Sequence, residues 1–324
     1  MDPLDFAIYR YLSPDGEARF WAGRRILDSL VPARAIAEQV GISENGVRAR
    51  LKSLAERGFV GPKAVIPNPS LFGVRLFVAE LPVKEAREVE RLLRDLALVE
   101  GVVFARDVLD EDERKILVHF VADTDSTAVR RAALLRRLSP TGQLRPPQPY
   151  RIPPCDHEMS PLDWRVLDAV WRRPDASIAE IGTAVGISLK TTARRYHLLI
   201  DSKACWWTPG PDVEEFPLAL VSVTVNGPAD RDAVAGKISK QAATWMPVAS
   251  DGLGLDPSAS LTLISGLVPA DAPAVLERLL RRLVDLPGVT KIRRTFALGS
   301  MAYPTWFGDR IAERVRPRSK PAGR

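Results

Sequence analysis

Val40-Gly41-Ile42-Ser43 returns as Val185-Gly186-Ile187-Ser188, and around each copy the apolar residues are spaced for two helices joined by a tight turn. Ile36 and Val40 precede or open the first copy, and Val47, Leu51 and Leu54 follow it, at intervals that place side chains on one helical face. A shift of 145 residues gives Ile181 and Val185, then Thr192, Tyr196 and Leu199. Gly41 and Gly186 can adopt the left-handed backbone of the turn, while Ser43 and Ser188 can accept the free amides of the next helix. The reading is a helix-turn-helix in each half of the chain.

Opposite the first apolar stripe lie Asn45, Arg48 and Lys52, flanked by Arg50; opposite the second lie Lys190, Arg194 and His197, with Thr191 beside them and Arg195 on the flank. In a helix laid in the major groove, long cationic side chains meet phosphates or guanine edges, and Asn pairs with adenine. Ser43 and Ser188 open these helices. Ordinary solvation also places charge on an exposed helix, but recurrence in one register favours duplex DNA as the partner.

The chain has 324 residues, a net charge of +6 and a sequence pI near 9.5; 46% of residues are hydrophobic and 27% charged. These values describe folded soluble modules, with length for about two domains and a mild preference for polyanions. Met1 to Asp5 carries no basic region leading into an apolar core, and no apolar run reaches the roughly 20 residues needed to span a bilayer, so a cytoplasmic, non-membrane protein is expected. Cys155 and Cys205 are the only cysteines and imply no disulfide framework.

After each helix-turn-helix the periodicity turns to strand. In the first half, Arg75 to Val83, Val102 to Val108 and Lys115 to Ala122 read as strands, with helices over Glu85 to Leu98 and Thr127 to Leu138 and a short last strand near Gln143 and Leu144. The second half gives strands at Leu218 to Val225, Trp245 to Ser250, Ser260 to Leu267 and Val289 to Leu298, with helices at Asp230 to Ala242 and Ala274 to Leu286. Both orders are those of a ferredoxin-like βαββαβ unit.

The expected fold is α+β, in two repeats. A winged helix-turn-helix over 1–66 precedes a ferredoxin-like module over 67–145; a proline-rich linker over 146–158 leads to a second winged helix-turn-helix over 159–212 and a second ferredoxin-like module over 213–304. A basic C-terminal tail is placed over 305–324, read as disordered from Arg310 to Arg324. The stretch holding Phe20, Trp21, Arg24 and Arg25 is an insertion peculiar to the first reader, read as packing in preference to a contact surface.

With Ile36-Ala37-Glu38, Val40-Gly41-Ile42-Ser43, Leu54-Ala55-Glu56-Arg57-Gly58-Phe59-Val60 and Asn68-Pro69-Ser70-Leu71-Phe72-Gly73 in hand, the chain resembles the leucine-responsive regulator (Lrp/AsnC) family. The second copy departs from the family pattern at Lys203-Ala204-Cys205-Trp206. The resemblance implies a DNA-binding transcription regulator, here an internal pseudo-dimer whose two sheets face one another and whose readers address two half-sites, with a pair of chains as the larger assembly. It also implies a small-molecule effector such as an amino acid near the turn between the middle strands. In the second module Asp251, Gly252, Gly254 and Asp256 stand there.

Catalytic material is sparse. His119, His157 and His197 are the only histidines, no metal set is evident around Cys155-Asp156-His157-Glu158, and no cofactor is expected, so the chain is read as a non-enzyme. The alternative is a siroheme-decarboxylase-like tetrapyrrole enzyme, a family that resembles the same layout.

Overall fold

A computed structural model describes residues 4–5, 7–8, 33–57, 63–110, 113–150, 152, 155–209, 218–225, 233–234, 237, 246–248, 262–269 and 273–316. The first reader contains α1 (Ala33–Val40) and α2 (Glu44–Glu56), preceded by helical residues Leu4, Asp5, Ala7 and Ile8. Ile8, Ile36, Ala37, Val47 and Leu54 form its buried core.

Strand β1 (Lys63–Pro67) and a 3-10 turn at Pro69–Phe72 lead into β2 (Arg75–Val83), α3 (Ala86–Leu96), β3 (Val102–Asp110), β4 (Arg114–Ala122), α4 (Asp125–Leu138) and β5 (Arg145–Tyr150). Alternate residues Phe77, Ala79, Leu81 and Val83 of β2 are buried, and with Ile116, Val118 and Phe120 of β4 they pack against Val89, Leu92 and Leu96 of α3. Period two on the strands meets period 3.6 on the helix, and this shared apolar face holds the layers together.

The second reader comprises α5 (Pro161–Arg172), α6 (Ile178–Val185) and α7 (Leu189–Asp201), followed by β6 (Cys205–Pro209). Beyond it come β7 (Leu218–Val225), β8 (Met246–Val248), β9 (Thr262–Pro269), α8 (Pro273–Val284), β10 (Val289–Ala302) and α9 (Thr305–Val315).

Among the described residues eight strands form one sheet, in the order β5-β2-β4-β3-β10-β7-β9-β8. The α+β expectation holds, but the modules are not two separate sheets facing one another. β10 pairs with β7 along Val289 to Ala297 and with β3 along Thr295 to Ala302, so one strand belongs to both ladders. A register shift between Ala297 and Gly299 accommodates the change of partner.

Two further expectations are corrected. The proline-rich run does not begin a linker at 146, nor does the first module end at 145: Arg145–Tyr150 is a strand paired with β2. Pro146, Pro147 and Pro149 lack amide donors, and β5 is a sheet edge, where one side of the strand needs none. Nor is the segment after 304 merely a basic tail, because Thr305–Val315 is helical and buries Phe307 and Ile311. The charged residues at Arg310 and Arg314 mask an apolar face at i, i+4 spacing.

Candidate nucleic-acid interface

Gly41 has φ 72° and Gly186 φ 74°, the left-handed conformation that closes each helix before the next begins. The Gly41 amide donates to the Ala37 carbonyl at 2.9 Å, and the Gly186 amide to the Gly182 carbonyl at 2.8 Å. Ser43 Oγ accepts from the Gly46 amide at 3.1 Å; Ser188 Oγ accepts from the Thr191 amide at 3.2 Å and lies 3.0 Å from Thr191 Oγ1. Both candidate recognition helices, α2 and α7, therefore start at a capped serine. Val47 and Leu54 seat α2, while Thr192, Tyr196 and Leu199 seat α7.

Arg50 and Arg195, expected on the DNA-facing side, point inward. Arg50 Nη1 meets Asp5 Oδ1 at 2.5 Å, and Arg195 Nη1 meets the fully buried Asp163 at 3.2 Å. Each pair fastens a recognition helix to the first helix of its reader. Burial by itself raises the Asp163 carboxyl pKa, but hydrogen bonds from Ser160 and His157, with Arg195 nearby, outweigh that and hold it below the ordinary carboxylate value. Sequence spacing placed these arginines near the exposed stripe; the acidic partner in the first helix was the missed signal.

Asn45, Arg48, Lys52, Lys190 and Arg194 are exposed, with Thr191 and His197 half-buried beside them. The two readers meet through β1 and β6, which pair antiparallel, Lys63 with Pro209 and Ala64 with Thr208. Under the 145-residue shift Lys63 corresponds to Thr208 and Ala64 to Pro209, so the register exchanges equivalent positions as a local two-fold axis requires.

The segment after β1 is built into the second reader. Asn68 Nδ2 donates to the Lys203 carbonyl at 2.8 Å, the Asn68 amide donates to the Ala204 carbonyl at 2.9 Å, and the Cys155 amide donates to Ser70 Oγ at 3.0 Å. Phe72 sits 5.6 Å from Trp164, 5.6 Å from Trp306 and 5.8 Å from Phe307 between ring centroids. Helix α9 thus joins α5 and the inter-reader segment in one aromatic cluster. Cys205 is buried in this core with Cys155 packed against it, and burial, with the neighbouring Cys155 thiol adding, pushes the Cys205 thiol up to about 12.

The effector residues Asp251, Gly252, Gly254 and Asp256 lie outside the described residues. At the corresponding end of the first module the strands are tied by charge: buried Lys115 lies 2.7 Å from Asp110 and 3.0 Å from Glu80, and Arg145 bridges Glu80 and Glu113. His119 stacks edgewise on Phe104, and burial together with Arg106 pushes its pKa down to about 3, so its ring is neutral near pH 7. Among the described residues no group of three or more His, Cys, Asp or Glu side chains is arranged for a metal ion, and no helix is long and apolar enough to cross a membrane.

These elements define an α+β protein in which helix-turn-helix units accompany a mixed sheet-and-helix layer. No family model matches the chain. HTH-type transcriptional regulator LrpA of Pyrococcus horikoshii is 32% identical over 127 residues, covering 34% of this chain and 89% of that protein, and the chain belongs to the Lrp/AsnC family. Among solved structures, E. coli AsnC matches with 13% identity and a TM-score of 0.31, covering 44% of this chain and 93% of its own. The siroheme decarboxylase NirDL matches with 12% identity and a TM-score of 0.49, covering 97% of this chain and 98% of its own. That full-length match is to an enzyme and overturns the expectation that the chain is a non-enzyme.

Proposed function

We propose that the chain is a double-stranded-DNA-binding transcription regulator, a fused pair of helix-turn-helix and ferredoxin-like units whose readers address two adjoining half-sites. The observation that carries this reading is the two-fold register of β1 with β6, the strands that follow two capped helices whose polar faces are exposed to solvent. A two-fold pair of readers suits duplex DNA, whose successive major-groove faces repeat about one helical turn apart. Because the readers differ in sequence, the two half-sites differ as well. The family relationship to a transcription regulator supports the same reading.

Fluorescence anisotropy of the full chain on duplex DNA from its own upstream region, against a scrambled duplex, tests it. Sequence-selective binding that weakens steeply with salt is the expected result. Absence of binding to either duplex at low salt overturns the reading, and a visible absorption band from a copurified tetrapyrrole would redirect it.

A further inference from the structure

The readers differ in how their cations are committed. In the described part of the first reader every arginine and lysine of α1 and α2 has an acidic neighbour: Arg34 pairs with Glu38 at 3.1 Å, Arg48 with Glu44 at 2.6 Å, Lys52 with Glu56 at 3.7 Å and Arg50 with Asp5. On α7 only Arg195 is committed, to Asp163. Among the described residues, neither Lys190 nor Arg194 makes an ion pair, and both are exposed.

The contrast is sharpest in the first turn, the part of a recognition helix that enters the groove. The first reader presents Glu44 and Asn45 there, whereas the equivalent residues of the second are Leu189 and Lys190. Glu44 brings negative charge towards phosphates and also holds Arg48. Leu189 is 60% exposed, and Lys190 adds positive charge in place of the neutral Asn45. The exposed Leu189 side chain suits the apolar contact that a thymine methyl offers.

We propose that the second reader carries most of the phosphate attraction, through Lys190 and Arg194, and that the first reader contributes mainly base discrimination through Asn45. This rests on the DNA-binding reading above. The second reader is also braced by Phe72, Trp164 and α9, so its available charge sits on a firmly packed helix bundle.

The test compares four variants of the full chain on a random-sequence duplex of about 30 base pairs and on the upstream duplex across salt. Lys190→Ala with Arg194→Ala is expected to weaken binding to both duplexes at least tenfold and to reduce the salt slope by nearly two, one for each cation withdrawn from a phosphate. Arg48→Ala with Lys52→Ala is expected to change it less than about threefold, and Glu44→Gln to strengthen it. Asn45→Ala should reduce selectivity between duplexes without moving the salt slope. Equal losses from the two cationic pairs, or a larger loss from the first, overturn the division while leaving DNA binding intact. A wild-type chain that binds neither duplex overturns both proposals. These side chains are exposed, and unchanged melting of each variant separates binding from folding.

Discussion

Asn68 donates its side-chain amide to the carbonyl of Lys203, a residue 135 positions away that holds a left-handed backbone with φ 61°. Among the described residues Lys203 alone is a non-glycine with positive φ. The first reader's exit segment thus holds the turn at which the second reader departs from the Gly-containing family pattern.

Asn68→Ala should therefore act far beyond its own segment. Asn68 is fully buried, and its Oδ1 also accepts from the Ser70 amide at 2.9 Å. Losing both bonds and stranding the Lys203 carbonyl is expected to cost about 2 kcal/mol or more. Denaturant unfolding would show it as a lower midpoint. A midpoint within error of wild type would rule out this fastening role.

The neighbouring arginines of α7 should separate cleanly. Arg195→Ala leaves buried Asp163 without its arginine and is expected to cost about 2 kcal/mol in stability, whereas Arg194→Ala should leave stability unchanged and weaken DNA binding. The acid dependence follows from Asp163. Its folded pKa lies below the unfolded value, so its contribution is complete above the ordinary carboxylate range and is lost as pH falls through the depressed folded pKa. Asp163→Asn should flatten stability in that acid window, read from melting temperatures across pH.

Two glycines of the second reader, one inside α6 and one capping it, should fail for different reasons. A Cβ at Gly186 meets nothing within 4 Å, so Gly186→Ala carries only the left-handed backbone penalty, about 1 kcal/mol. At Gly182 a Cβ would lie 2.6 Å from Thr192 Oγ1 and 3.1 Å from the Ile187 carbonyl oxygen. Gly182→Ala should force α6 and α7 apart at about 1–3 kcal/mol, and Thr192→Ala should recover part of that loss. Simple additivity of the two in unfolding measurements would refute the close approach.

Phe307→Ala should loosen the second reader through α9. The ring is buried among Phe72, Trp171 and Trp306, and its removal is expected to cost about 3 kcal/mol. Hydrogen exchange should then rise in α5 as well as in α9. A rise confined to α9 would show that the helix is an appendage.

Much of this was legible in the sequence because its signals are local. The repeated tetrapeptide, the two serine caps and the alternation along Arg75 to Val83 each fix structure within a few residues. What was hidden depends on distant partners. Arg50 and Arg195 follow exposed residues closely, and only the carboxylates of Asp5 and Asp163 turn them inward. The proline run resembled a spacer because its pairing with β2 lies about 70 residues back. The joining of β3 to β10 pairs residues nearly 200 positions apart, Ala302 with Phe104, and leaves no short-range trace.

β10 has a consequence for inheritance. Its flanks are claimed by strands from opposite halves, so a chain cut near residue 155 would yield two fragments with raw edges at β3 and β10, each complementary to the other. Such fragments would seek one another out. Loss of either half would leave the survivor with an open strand edge, so the two halves are bound to travel in a single reading frame.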